Sequence, residues 1–234
     1  MRRTAGNSGE TGMFGPETDL IISLAAVLIL FISIEKKKNN DELKSVKAKQ
    51  VEVMKAIRDS NPEGKNLISD DSLLNGNRFQ FHIYSKKTGY EDAVTIENFD
   101  FRQKFTFSEQ TLFSTNEFLL KDRGGKILKT LSDILNQSSQ AIEEVKIDGH
   151  ASIDGDKDSN LDLAGKRAIE VFKFLRNSDP KSCFNPKKKL ISAASYGHYS
   201  PVGRKRNEEF NEKIAEIDKP KNRRIEIVLT YKPD

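Results

Sequence analysis

Hydrophobic and polar positions divide this chain into regimes with different periods. From Phe14 to Ile34 the residues are mostly apolar, and Leu20 to Ile34 carries no charge. About 20 apolar residues of helix cross a bilayer, so the run predicts a single transmembrane helix over 14–35. From Asp41 to Arg58 the pattern becomes periodic. Leu43, Val46, Val53, Met54 and Ile57 recur at helical spacing among Lys and Glu, which predicts a short amphipathic helix within 36–60. Its alternative reading is a continuation of the membrane helix with a solvated face. Asn61-Pro62-Glu63-Gly64 ends it. Next, Arg78, Gln80, His82 and Tyr84 alternate with Phe79, Phe81 and Ile83, the strand period. With Asp92–Phe101 as a pairing candidate, 61–104 reads as a β-rich connector.

From Phe105 strand and helix patterns alternate. Strands are predicted at Lys104–Phe107, Glu144–Ile147, Leu190–Ala194 and Arg223–Tyr231. Ile127, Leu128, Leu131, Ile134 and Leu135 mark one helix. Leu161, Ala164, Ala168, Val171, Phe172 and Leu175 mark another. This order predicts an α/β sandwich over 105–234, with helices packed on a sheet. Residues 1–13 are rich in Gly, Ser and Thr and read as a flexible tail. A charged stretch, Arg204 to Lys219, reads as a helical insert with no assigned role.

Composition narrows the chemistry. The 234 residues hold 39 Lys and Arg against 35 Asp and Glu, a net charge of +4. The excess base is scattered, so nucleic-acid binding is not expected. Cys183 stands alone, so no disulfide framework is possible; a free thiol and an intersubunit disulfide both remain open. His82, His150 and His198 lie far apart, without metal-ligand spacing. No P-loop, dinucleotide fingerprint or nucleophile elbow occurs. No enzyme, catalytic residue, metal or cofactor is expected.

The informative charge is Asp19, near the start of the apolar run. An acid at membrane depth is costly and marks a functional site by default. At about 100° per residue, Asp19, Ser23, Ala26, Leu30 and Ser33 share one stripe. Small and polar residues on one face suit close helix packing. Asp19 and Ser23 are therefore candidate ion-carrying residues. Asp19 could instead cap a helix started by Pro16. No small-x-small cleavage site follows the run; Glu35-Lys36-Lys37-Lys38 does, so it reads as an anchor. Arg2 and Arg3 precede the run, while Lys36, Lys37, Lys38 and Lys44 follow it. The charge rule alone favours a cytoplasmic C-terminus.

Four motifs in order resemble the OmpA-like peptidoglycan-binding domain over about Phe107–Tyr231. Leu112-Phe113-Ser114 through Leu119-Leu120, then Gly124-Gly125-Lys126, is similar to the family's opening strand and first helix. Ile147-Asp148-Gly149-His150-Ala151-Ser152 is similar to its Gly-His loop. Asn160-Leu161-x-Leu163 with Lys166-Arg167-Ala168 is similar to its second helix. Tyr196-Gly197 with Pro201, then Lys221-Asn222-Arg223-Arg224-Ile225-Glu226, is similar to its closing segment. The resemblance implies that Arg167 forks a stem-peptide carboxylate, with Arg223 beside it. Asn160 and Asn222 either contact the ligand or hold loops. The family's usual Thr-Asp is here Ala151-Ser152, and Ser cannot neutralise an ammonium. Asp154 or Asp156 is the candidate substitute.

The whole layout resembles MotB-like subunits of ion-driven rotary motors, flagellar or of Zorya anti-phage systems. Pro16-Glu17-Thr18-Asp19 also resembles the Pro-x-x-Asp of ExbD and TolR. The aromatic-Ala-Asp signature typical of flagellar MotB is missing. The resemblance implies a homodimer inside a ring of five multi-pass partners of the MotA or ZorA type. It implies an inner-membrane span with a cytoplasmic N-terminus and a periplasmic C-terminal domain bound to peptidoglycan. Asp19 would carry H⁺ or Na⁺, and 36–60 would resemble a plug. A passive wall tether without ion transport is the alternative.

Overall fold

The computed structural model describes residues 16–59, 76–84, 91–178, 184–205 and 207–233. Side chains before Leu20, at 82–84 and at 91–93 are not described. Helix α1 spans Pro16–Asp59, where two helices were expected. The chain divides into two compact units, Met1–Glu42 and Leu43–Asp234.

In the first unit, the described apolar side chains from Leu20 to Ile34 are exposed; Leu20 is 72% and Phe31 68% accessible. Ser23, Ala26 and Ser33 are exposed as well. The Ser33 hydroxyl donates to the Ile29 carbonyl at 2.7 Å. Among the described residues no helix is long and apolar enough to cross a membrane. Asp19 lies in α1, but its side chain falls outside the described residues.

The second unit is built on a sheet of strands β1 (Arg78–Tyr84), β2 (Glu91–Asn98), β3 (Arg102–Ser108), β4 (Ile142–His150), β5 (Leu190–Gly197) and β6 (Arg224–Tyr231). Their order is β1-β2-β3-β6-β4-β5. Neighbours are antiparallel except β4 and β5, which are parallel. A parallel pair needs a long crossover, supplied here by the helix Lys157–Ser178. The remaining helices are α2 (Glu109–Leu112), α3 (Asp122–Gln137), α5 (Glu212–Ile217) and α6 (Lys219–Asn222), with Lys157–Ser178 as α4.

The expected connector is not separate from the C-terminal domain. The expected boundary between 104 and 105 falls inside β3, which pairs with β2 on one side and β6 on the other. Alternation explains the core. Phe105 and Phe107, Ile225, Ile227, Leu229 and Tyr231, and Val145 and Ile147 are buried. Ile127, Leu128, Leu131, Ile134 and Leu135 of α3 are buried as expected, as are Ala164, Ala168, Val171 and Leu175 of α4. Leu161, expected on the same stripe, is 38% exposed.

The amphipathic stripe of Leu43–Asp59 belongs to this core. Val46, Val51, Val53 and Met54 are buried with Phe79, Phe81, Val94 and Ile96. Buried Gln50 donates to the carbonyls of Phe99 at 2.8 Å and Arg102 at 3.1 Å. Gln103 donates to the Gln50 carbonyl at 3.2 Å, and the Tyr231 hydroxyl donates to Gln103 at 2.7 Å. Buried polar groups without partners are costly, so these bonds allow two Gln side chains to sit in an apolar layer.

Two further expectations change. The segment 112–120 contains no named strand; α2 ends at Leu112 and one bridge joins Phe113 to Leu120. Ser108 causes this by capping: its hydroxyl accepts from the Thr111 N–H at 3.3 Å, which starts a helical turn at the end of β3. Among the described residues of the insert 204–219, only Glu212–Ile217 is helical, besides Lys219 at the start of α6. Asn211 caps it by accepting from the Lys213 N–H at 2.9 Å.

Candidate functional site

The site forms where α2, the loop after β4, α4 and the start of β6 meet. Gly149 makes the approach of α4 possible. A Cβ there would lie 2.0 Å from the Ala164 carbonyl oxygen. Only glycine lets the helix backbone rest on the strand so closely. The chain then turns through Ala151–Asp156, with Gly155 at φ 82.

Arg167, on α4, is buried at 3% exposure. Its Nη2 donates to Glu109 Oε1 at 2.6 Å, and its Nε donates to the Glu117 carbonyl at 2.8 Å. The guanidinium lies over the Phe113 ring, 5.3 Å from its centroid. The fork that the family resemblance assigns to a ligand carboxylate is thus engaged by a carboxylate of the chain itself. Glu109, 7% exposed, also accepts Arg223: Arg223 Nε lies 3.2 Å from Glu109 Oε2. The Glu109 N–H donates to the Arg223 carbonyl at 2.8 Å.

Arg223 faces outward, with 36% of its side chain exposed. Its Nη1 donates to Ser152 Oγ at 3.4 Å and lies 3.6 Å from Asp154 Oδ2. Ser152 is buried, and Asp154 is exposed at the rim. Lys219 Nζ donates to Asp154 Oδ1 at 2.7 Å and lies 2.8 Å from Glu216 Oε2. That hydrogen bond from Lys219, helped by Ser152 and Arg223, holds the Asp154 carboxyl below its usual range. In return Lys219 is raised, first by Asp154 and then by Glu216.

The structure therefore brings Arg167, Ser152, Asp154 and Arg223 together and adds Glu109 and Lys219. The two Asn candidates hold loops. Asn160 donates to the carbonyls of Ser152 at 3.2 Å and Asp154 at 2.6 Å. Asn222, 1% exposed, accepts from the Val202 N–H at 2.7 Å and donates to the Ala215 carbonyl at 2.9 Å. Asp156 is exposed, with no contact to this cluster among those described. Ser23 lies in the first unit; Cys183 lies outside the described residues.

Glu109 had a signal in the sequence. Phe105 and Phe107 set the inward parity of β3, and Glu109, the first residue of α2, falls on the same side just past the strand's end. A charge on an apolar parity needs a buried partner, and Arg167 provides it.

Outside the site, His150 stacks on Tyr196 at 5.1 Å between ring centroids. Its Nε2 lies 3.8 Å from Glu226. Burial, then the Arg224 charge, lower its pKa to about 3. Among the described residues no group of three or more His, Cys, Asp or Glu is placed to hold a metal ion.

Residues 112–215 match the OmpA family. A MotB-like protein from Desulfovibrio vulgaris shares the fold at 12% identity and a TM-score of 0.53, over 83% of this chain and 99% of that one. The periplasmic domain of Helicobacter pylori MotB aligns at 18% identity and a TM-score of 0.48, over 67% of this chain and 88% of that one. The T6SS cell wall anchor of Pseudomonas aeruginosa aligns at 20% identity and 0.44, over 59% and 88%. A search of curated proteins finds no match.

Proposed function

We propose that this chain, MotB-like with an OmpA-like C-terminal domain, is the B-type subunit of an ion-driven rotary motor in the bacterial inner membrane. Residues 14–35 form its single span, Asp19 and Ser23 carry H⁺ or Na⁺, and the domain after it binds peptidoglycan from the periplasm. A homodimer works inside a ring of multi-pass MotA- or ZorA-type partners and drives a flagellum or a Zorya-type defence. The chain is not an enzyme. One observation carries the reading: the charge-free run Leu20–Ile34, whose described side chains lack protein cover, follows an acid and precedes an OmpA-like domain. Thirteen exposed apolar positions in one helix need a lipid or protein surface. The T6SS relative is described as a cell wall anchor, which supports the wall-binding half.

A desolvated carboxylate exchanges protons nearer neutral pH than a free one. One charge crossing the membrane yields about 2.3 kcal/mol per 100 mV. Asp19→Asn removes the exchangeable proton with little change in shape. The expected result is a subunit that still inserts and co-purifies with its multi-pass partner but supports no ion flux or motor output. If Asp19→Asn keeps full output, the passive tether is the correct reading. That alternative draws on the same domain and anchor and needs no acid.

A further inference from the structure

We propose that Glu109 is a built-in carboxylate that fills the inner fork of the site, so that a ligand carboxylate is met by Arg223 rather than by Arg167. The inference rests on the wall-binding reading and names the residue that sets its specificity.

Three observations carry it. First, the inner fork is occupied and closed. Arg167 and Glu109 are 3% and 7% exposed and lie 2.6 Å apart. A second carboxylate at that fork would be desolvated beside Glu109, and like charges in one buried site repel strongly. Second, Glu109 cannot simply swing away. Its own N–H is bonded to the Arg223 carbonyl, and its second oxygen faces Arg223 Nε. Third, Arg223 is the guanidinium with an open side. It lines the rim with Ser152 Oγ and Asp154.

The rim suits a zwitterion. Arg223 offers a carboxylate contact and Asp154 an ammonium contact, with Lys219 as the ion that an incoming ammonium displaces. Ser152 then serves as a neutral hydrogen-bonding partner. Glu109 is a positioning residue: it neutralises Arg167 and holds Arg223 with its fork turned outward.

The test uses the full chain in detergent micelles. Glu109→Ala removes the internal carboxylate and leaves a cavity of that shape beside Arg167. Sodium propionate is titrated against sodium chloride at equal ionic strength while the melting temperature is read. The expected result is a lowered melting temperature that propionate restores saturably in Glu109→Ala, no such effect in the wild type, and none in Glu109→Ala/Arg167→Met. A plain structural ion pair would show the loss without the rescue. Absence of rescue, or equal stabilisation of the wild type, overturns the filled fork. Should Glu109→Ala fail to fold, Arg223→Ala decides. Its retention on purified sacculi should fall at least about tenfold, the size of one charged contact, and unchanged retention overturns the proposal. If wild-type protein does not bind sacculi while propionate rescue holds, the wall-binding reading falls and the internal carboxylate stands.

Discussion

One helix contains two regions with opposite relations to their surroundings. From Leu20 to Ile34 apolar side chains cover the helix on every side but the narrow stripe of Ser23 and Ser33, and they are exposed. From Leu43 to Asp59 apolar residues occupy one face, and Val46, Val51, Val53 and Met54 are buried in the sheet's core. The regions differ in hydrophobic content and in its arrangement: the first is charge-free and almost wholly apolar, the second sets its apolar residues on one stripe among Lys and Glu. A continuous apolar surface finds no complement in a mixed polar domain, whereas a single stripe does. The second region thus has its partner within the chain, and among the described residues the first has none.

Met54→Asp against Leu28→Asp is the sharpest way to break that contrast. Met54 is fully buried, so an unpaired charge there should cost more than about 4 kcal/mol and unfold the second unit. Leu28→Asp should leave the melting transition in place and cost about 2.5–3.5 kcal/mol only in membrane insertion. Thermal denaturation and membrane fractionation of the two variants read both effects. Equal loss of folding would erase the distinction. Because Val46, Val51, Val53 and Met54 are buried in the core, deleting 41–58 would remove part of a folded domain, and a leak after it would not by itself identify a plug.

Gln50→Leu comes next. It should destabilise by about 1–3 kcal/mol, because the Phe99 and Arg102 carbonyls each lose the bond from Gln50, although Arg102 keeps the one from the Phe99 N–H. Urea denaturation measures it, and no change would mean the bonds are not a condition of that packing.

A smaller effect follows from His150. Its pKa is about 3 in the folded protein against 6.5 ordinarily, so the unfolded chain binds the extra proton. Stability is complete above pH 6.5 and declines as pH falls toward 3. Between pH 7.5 and 5.5 the loss should be about 1 kcal/mol. His150→Gln should flatten that slope in pH-dependent melts; an unchanged slope would assign the acid sensitivity elsewhere. The least effect is expected from Lys38→Ala. Its contact with Glu42, at 3.7 Å, is exposed on the Lys side, and such pairs contribute about 0.5 kcal/mol or less.

Much of the fold is legible because alternation and helical spacing are local. β1, β6, α3 and the stripe of Leu43–Asp59 follow from residues that are neighbours in sequence. The strand order is not legible, because β3 and β6 lie more than a hundred residues apart. The merging of connector and domain was hidden for the same reason. It depends on β3 pairing with both β2 and β6, and the docking of α1 on the same sheet depends on Gln50 and Gln103, polar residues on apolar parities. The site was half legible. Arg167, Ser152, Asp154 and Arg223 meet as the motif order suggested. That Arg167 is satisfied from inside depends on Glu109, whose meaning lies in its place just past the inward Phe105 and Phe107 of β3 and not in any motif.

The bond chain from Gln50 through Gln103 to Tyr231 has a mechanical consequence. It ties the C-terminal half of α1 to the end of β3 and β6 opposite Arg223. Those two strands pair antiparallel from Arg102↔Thr230 to Ser108↔Arg224. A pull between α1 and the rim around Arg223 therefore runs along the strands. The ladder is strained in shear, with its hydrogen bonds resisting together, instead of being unzipped one bond at a time.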